Sequence, residues 1–189
     1  MIERKQKANP ALYYDKVLRN PIIKKFSEKL RNFPTVFKDR LYLTGGAIID
    51  IIDGRKPKDF DFYTEDVDAF FKFMEYMRFE YMYSTEYSYT FKYSNMVIQL
   101  LKKRIDEFEF TVSQSKYDLS KDVLYLDELS VNRRILIPVS FTNKEQIMSA
   151  LLRIPHWKRK GFDIPVQSYY ALLRSLVDDD SLKNVNLQS

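Results

Sequence analysis

A pair of glycines followed at a fixed interval by a pair of acids constrains this chain more than any other feature. Gly45-Gly46 is followed, after twelve residues, by Asp59-Phe60-Asp61. Leu41 to Thr44 reads as a short apolar strand that the glycines break. Ala47 to Asp53 (AIIDIID) reads as a helix with Ile48, Ile51 and Ile52 on one face, and Gly54 as its stop. Arg55 to Lys58 is a basic loop containing Pro57. Asp59 to Tyr63 (DFDFY) alternates acid and aromatic, the period of a strand. Side chains at i and i+2 of a strand share a face, so Asp59 and Asp61 project together while Phe60 and Phe62 anchor the other side. Adjacent acids repel, and a bound cation or a solvated cleft relieves that repulsion. Glycines without Cβ atoms let a phosphate approach the backbone beside a helix start. A lone Gly-Gly is usually a turn, and a lone Asp-x-Asp is usually a solvated strand edge. Together, at this spacing, they form an anion cradle beside paired carboxylates, the arrangement that phosphoryl or nucleotidyl transfer requires.

The chemistry available elsewhere is narrow. Cysteine is absent and His156 is the one histidine, so a metal site must be built from carboxylates and would suit a hard cation. Aromatics at 15% of the chain and only 4 glycines supply a core and exclude a low-complexity chain. The N-terminus MIERKQKANP lacks the apolar stretch of a signal peptide, and no run of about 18 apolar residues occurs, so no membrane span and a cytoplasmic location are expected. The net charge of +5 favours anionic partners such as nucleotides or nucleic acid.

The remaining chain predicts a mixed fold. Residues 1–20, with Tyr13 and Tyr14, read as a short helix or arm. Ile23, Phe26, Leu30 and Phe33 recur at helical spacing after Pro21 and end at Pro34. Thr64 is a candidate cap for a helix whose stripe is Val67, Phe70, Phe71, Met74 and Met77. Tyr87, Tyr89, Phe91 and Tyr93 alternate with polar residues, and Ser94-Asn95 turns them into Met96 to Leu101 as a hairpin. Glu109 to Ser113 is a further strand candidate, and Leu124 to Ile137 is ambiguous. Thr142 and Glu145 form a capping box for a helix through Leu152, which Pro155 kinks or ends. A last helix follows Pro165 with Tyr169, Leu172, Leu173 and Leu176 on one face, and the tail from Asp178 is polar and frayed. Lys102, Lys103 and Arg104 after the hairpin, and Lys158, Arg159 and Lys160 beside Trp157, are basic runs that can meet phosphates. Such runs are more often solvated surface. His156 reads as a packing or surface histidine.

The stretch LTGGAIIDIIDGRKPKDFDFYT (Leu43 to Thr64) resembles the signature of the DNA polymerase β-like nucleotidyltransferase superfamily. It is closest to the head domain of CCA-adding enzymes and bacterial poly(A) polymerases, matching at Gly45, Gly46, Asp50, Gly54, Arg55, Lys58, Asp59 and Asp61. EFTVSQSKYD (Glu109 to Asp118) is similar to that family's Asp-Phe-Thr strand, and LLRIPHWKRKGFDIP (Leu151 to Pro165) to its neck helix. The family's Arg in Gly-Gly-x-Val-Arg-Asp is Ile49 here, and the Asp of its Asp-Phe-Thr motif is Glu109. The neck motif that templates C and A has no clear counterpart, Arg153 being the nearest residue.

The resemblance implies an α/β (α+β) nucleotidyltransferase fold: a small mixed, mostly antiparallel sheet flanked by helices, with a helical C-terminal extension. It places a head domain with N-terminal helices at 1–140 and a neck-like extension at 141–189. It implies Mg²⁺-dependent transfer of an NMP from an NTP, with Asp59, Asp61 and Glu109 as metal-binding and catalytic carboxylates. Gly45 and Gly46 would seat the triphosphate, with Arg55, Lys58 or Arg104 neutralising it. RNA, tRNA, a small molecule and a protein side chain all remain open as acceptors. The alternatives are an inactive relative that binds nucleic acid or protein, and a structural or interaction protein, conceivably viral.

Overall fold

The computed structural model describes residues 10–139, 141 and 143–177, and the chain forms two compact units. The first runs to Ile105 and includes Ser115–Tyr125; the second takes Asp106–Gln114 and the chain from Leu126. The division therefore falls elsewhere than at the 140/141 boundary expected from sequence. Its cause is a set of backbone bonds: Thr111 N donates to Ile137 O at 3.0 Å and Val139 N to Glu109 O at 3.1 Å. These tie 109–111 to 137–139 inside the second unit.

The first unit is built on a sheet of β1 (Tyr42–Thr44), β2 (Asp59–Tyr63), β3 (Glu80–Ser84), β4 (Ser88–Tyr93), β5 (Met96–Leu101), β6 (Lys116–Asp118) and β7 (Val123–Tyr125). The seven strands lie in the order β3-β4-β5-β2-β1-β6-β7. β2 and β5 run parallel, and the other neighbours are antiparallel. This is the mixed, mostly antiparallel sheet expected. Helices α1 (Pro10–Leu18), α2 (Pro21–Arg31), α3 (Gly46–Ile52) and α4 (Val67–Tyr76) accompany it. Alternation along the strands separates two faces. Leu43, Phe60, Phe62, Phe91, Ile98, Leu100 and Tyr117 are buried on one. There α2 sends Phe26 to stack on Phe62 at 5.2 Å, and α4 sends Phe70 to within 5.9 Å of Phe62 and 5.6 Å of Phe91. Burying these rings is the main stabilisation of the unit, each contributing about 1.5–3 kcal/mol. The opposite face carries Tyr42, Thr44, Asp59, Asp61, Tyr63, Gln99, Lys116 and Tyr125, and it leaves polar groups where chemistry can use them.

Several local expectations are corrected. Asp66, not Thr64, caps α4: its Oδ1 accepts from Ala69 N at 3.2 Å, while buried Thr64 accepts from Asp66 N at 3.1 Å. Phe73 rather than Phe71 joins Phe70, Met74 and Met77 in the core: Phe73 packs against Phe26, Phe33 and Phe37, while Phe71 is half-buried against Tyr81, Tyr89 and Phe91. Strand β3 (EYMYS) escaped detection because, as an edge strand exposed along its length, it has no apolar alternation. Arg104 and its neighbours end β5, and Glu109–Ser113 forms no strand. Phe110 makes one bridge to Pro138 and Thr111–Gln114 is a 3-10 turn.

The second unit packs α5 (Glu128–Arg133), α6 (Lys144–Arg159) and α7 (Val166–Val177). Asn143 caps α6, accepting from Gln146 N at 2.9 Å; Thr142, expected in that role, lies outside the described residues. Pro155 sits inside α6 without ending it. The last turn is held by buried Ile154 and Trp157, whose indole meets Phe162 at 5.4 Å. No described helix is long and apolar enough to cross a membrane. Residues 1–9 and the tail from Asp178, expected to be an arm and a frayed end, lie outside the described residues.

Candidate functional site

The glycine turn and the two acids meet in the first unit through strand pairing. β1 and β2 pair so that Thr44 lies opposite Asp61. Gly45 follows Thr44 at φ +71°, ψ −144°, a combination that side chains avoid. It is fixed there by Gly45 N donating to Ser115 O at 3.1 Å and by the Thr44 hydroxyl donating to the same carbonyl at 2.9 Å. A Cβ added at Gly45 would lie 3.5 Å from Asp61 Oδ2. The glycine backbone and the Asp61 carboxylate are thus immediate neighbours, and a side chain at 45 would narrow the space between them. Asp59 is exposed and Asp61 half-buried, with buried Phe60 and Phe62 locking the strand from behind. The parallel partner β5 sets half-buried Gln99 beside Asp61 and Val97 beside Asp59. Gly46 opens α3, whose Ile48, Ile49, Ile51 and Ile52 are all buried. Ile49, which stands where the similar family has Arg, is fully enclosed as core.

The expected cations are distributed differently. Arg55 is folded back on α3: its Nε lies 3.0 Å from Asp50 Oδ1 and its Nη2 2.6 Å from Asp53 Oδ2. Gly54 at φ +74° makes this return possible. Lys58 is exposed directly before Asp59. Arg104 is exposed at the far end of the sheet and acts electrostatically on Tyr63. Burial pushes the Tyr63 hydroxyl up from its ordinary value and Glu65 adds to this, while Arg104 opposes.

Glu109 belongs to the second unit. It is buried, accepting from the Ser149 hydroxyl at 2.7 Å and lying 3.5 Å from Arg153 Nε. Among the described residues no group of three or more His, Cys, Asp or Glu is placed to hold a metal ion. The strand expected at Glu109–Ser113 is not formed, and β2 pairs with β1 and β5. Lys102 is committed elsewhere, donating to Thr85 O at 2.5 Å and to Ser84 Oγ at 3.1 Å. His156 packs edge-on against Trp157 at 5.5 Å, and Lys158 pairs with Asp163 at 3.3 Å.

Sequence reasoning missed one group on the carboxylate face. Thr44 lies opposite Lys116, and Lys116 opposite Tyr125. The Lys116 ammonium lies 5.1 Å from the centre of the Tyr42 ring and 5.4 Å from that of Tyr125. Arg40 reaches Tyr42 Oη at 3.5 Å and buried Asp118 at 3.7 Å. The signal was the alternation in Lys116-Tyr117-Asp118 and Val123-Leu124-Tyr125, in strands of three residues each.

Comparison with solved structures gives a CCA-adding enzyme in its apo form, at TM-score 0.65 and 18% identity, over 92% of this chain and 46% of that one. The complex of a CCA-adding enzyme with CTP matches at TM-score 0.66 and 15% identity, over 88% of this chain and 45% of that one. The Thermotoga maritima CCA-adding enzyme complexed with tRNA_CCA matches at TM-score 0.58 and 15% identity, over 91% and 43%. At this identity the likeness establishes a nucleotidyltransferase-like fold, and the chain spans a little under half the length of those enzymes. No curated protein matches the chain. A family model, Gabija anti-defense 2 family protein (Gad2), matches residues 16–133. That match takes in the glycine turn, both aspartates and the whole sheet, and by it the chain belongs to the Gabija anti-defense 2 family.

Proposed function

We propose that this chain is a metal-dependent nucleotidyltransferase that moves an NMP from an NTP onto an acceptor, and that this transfer is how it acts against the defence system its family is named for. The observation that carries the reading is the placement of Gly45 against the Asp61 carboxylate, with Asp59 projecting beside it from the same strand face.

The donor set fits a hard divalent ion. Asp59 and Asp61 present oxygen ligands only, and they would hold Mg²⁺ with water and triphosphate oxygens completing its shell. Such an ion, when bound, supplies positive charge to the reacting phosphoryl group and lowers the pKa of a coordinated hydroxyl. The chain's own part is positional. Phe60 and Phe62 hold β2 rigid, so the two carboxylates keep their spacing. Gly45 leaves room for phosphate oxygens at the backbone, and exposed Lys58 adds charge next to Asp59. In the transfer, the acceptor oxygen bonds to the α-phosphorus and the α–β phosphoanhydride breaks. Pyrophosphate departs with the bonding electron pair, and the acceptor proton passes to solvent.

Incubation with each α-labelled NTP, Mg²⁺ and cell extract tests this. Label should appear on one acceptor class, and Asp59→Asn or Asp61→Asn should reduce it by about a hundredfold or more. Both variants should melt no lower than the parent without Mg²⁺, because each removes charge repulsion. Equal labelling by a variant carrying both Asp59→Asn and Asp61→Asn, or no labelling with any NTP, sinks the reading. The second reading is a nucleotidyltransferase-fold protein that binds its target without chemistry. It is favoured by Ile49 being core and by Arg55 being held by Asp50 and Asp53, and it predicts activity against the defence system that survives Asp59→Asn.

A further inference from the structure

Strand β5 brings one further polar side chain up to the carboxylates. Gln99 lies directly opposite Asp61 across the parallel pair of β2 and β5, and directly opposite Thr90 across the antiparallel pair of β4 and β5. Residues opposite one another in a sheet share a face, so Asp61, Gln99 and Thr90 form a row on the carboxylate face. At a strand spacing of about 4.8 Å the row spans roughly 10 Å, with the half-buried Gln99 in the middle. Along β5 the neighbours of Gln99 on this face are Val97 and Leu101, whose side chains offer no hydrogen bond. The polar groups directly across from it are Asp61 and Thr90. Thr90 is 3% exposed, and among the described residues its hydroxyl has no hydrogen-bond partner. A buried hydroxyl left in that state costs stability, and native proteins keep few of them without a use.

We propose that Gln99 and Thr90 are positioning residues for Asp61: with Mg²⁺ and an NTP bound, the Thr90 hydroxyl donates to Gln99 Oε1, and Gln99 Nε2 donates to one oxygen of the Asp61 carboxylate. The order follows from what each group can do. An ionised carboxylate only accepts, so the amide turns its N–H groups towards Asp61. Its carbonyl then faces β4, where the Thr90 hydroxyl has a proton to donate and no other acceptor. One Asp61 oxygen is thereby held in place, and the other is left for the ion. Hydrogen bonds in series polarise one another, and a cation on the carboxylate fixes the end to which this series is anchored. Without the ion, a half-buried carboxylate shares its oxygens with water and holds the amide weakly, which accounts for the Thr90 hydroxyl standing without a partner in the unliganded chain. This inference deepens the transfer reading and rests on it for the bound ion and NTP.

The test is the Mg²⁺ concentration at which the full chain half-binds a fluorescent, non-hydrolysable analogue of ATP, CTP, GTP or UTP, with urea unfolding of the unliganded protein beside it. Thr90→Val keeps the shape and branching without the hydroxyl, and Gln99→Met keeps the length without the amide. Each should raise the Mg²⁺ midpoint about tenfold, the scale on which loss of a group that orients a metal ligand weakens metal binding. Binding of the analogue at saturating Mg²⁺ should return to that of the parent. The combined variant should lose no more than either alone, because both break one series. Thr90→Ser, which keeps the hydroxyl, should match the parent. Thr90→Val should also leave the urea midpoint of the unliganded protein unchanged or higher, since the hydroxyl it removes has no partner there. A purely structural role gives the reverse pattern, a lower urea midpoint with the Mg²⁺ midpoint unchanged, and overturns the inference. Unchanged Mg²⁺ midpoints, or effects that multiply in the combined variant, also overturn it and leave the transfer reading standing. The expected midpoints without label transfer to any acceptor keep the Thr90–Gln99–Asp61 series and end the transfer reading alone. A parent that binds no analogue in the presence of Mg²⁺ overturns both.

Discussion

Gly45 combines a backbone role with a steric one, and the two are separable by mutation. Its positive φ disfavours any side chain, and the bond from Gly45 N to Ser115 O prevents relaxation. Gly45→Ala should therefore lower stability by about 1–3 kcal/mol, read as a lower urea midpoint at unchanged slope. Gly54 also has positive φ, but a Cβ there meets nothing within 4 Å. Gly54→Ala should cost about 1 kcal/mol, and a loss as large as that at Gly45 would show that packing around Asp61 is not what distinguishes the two. Asp66 supplies a pH dependence of known sign. Its carboxyl is held below the usual range, first by the backbone N–H of Lys38 at 2.8 Å and then by that of Ala69. A depressed folded pKa means the contribution is present above the unfolded value of about 3.9 and is lost as pH falls through the folded value. Asp66→Asn should accordingly flatten the stability profile below about pH 4, and an unchanged acid limb would refute the assignment.

Among the elements, α6 shows what replaced the expected carboxylate cluster. Glu109 is 2% exposed and is held by Ser149 and Arg153, one turn apart on α6. Removing the cation while leaving the buried acid should be costly: Arg153→Met should destabilise by roughly 1–3 kcal/mol. The pairing also sets an expectation opposite to that of a metal ligand. Glu109→Gln should lower the melting temperature and leave any nucleotidyl transfer largely intact in the folded fraction. A stable Glu109→Gln protein with lost turnover would return Glu109 to the chemistry. β3 and β7, the sheet edges, differ in what they expose: β3 offers Tyr81, Met82 and Tyr83, while β7 ends on Tyr125 beside Lys116.

For the whole molecule, a metal site resting on Asp59 and Asp61 would have weak intrinsic metal affinity. Mg²⁺ takes few protein ligands and relies on substrate oxygens. Millimolar Mg²⁺ alone should shift the melting temperature little, whereas Mg²⁺ with a non-hydrolysable NTP should stabilise by about 2.7 kcal/mol at a hundred times Kd. In Asp59→Asn that NTP-dependent shift should shrink to near zero. A large shift from Mg²⁺ alone would reveal ligands beyond Asp59 and Asp61.

The sequence determined the strand–glycine–helix–strand unit and the shared face of Asp59 and Asp61, because both follow from local rules. A strand's side chains alternate whatever surrounds it, a helix stops at Gly54, and buried phenylalanines at alternate positions fix which face is core. The hairpin of β4 and β5 was legible for the same reason, and α7 after Pro165 likewise. The tertiary structure decided what depends on partners distant in sequence. Whether Glu109–Ser113 formed a strand depended on non-local pairing, and backbone bonds to Ile137 and Val139 claimed that segment instead. Arg55 could be read as a free cation until α3 presented Asp50 and Asp53 to it. The line from Asp61 to Tyr125 exists only in the register of β2, β1, β6 and β7. Register is a property of non-local backbone pairing, and no pattern within a three-residue strand specifies it.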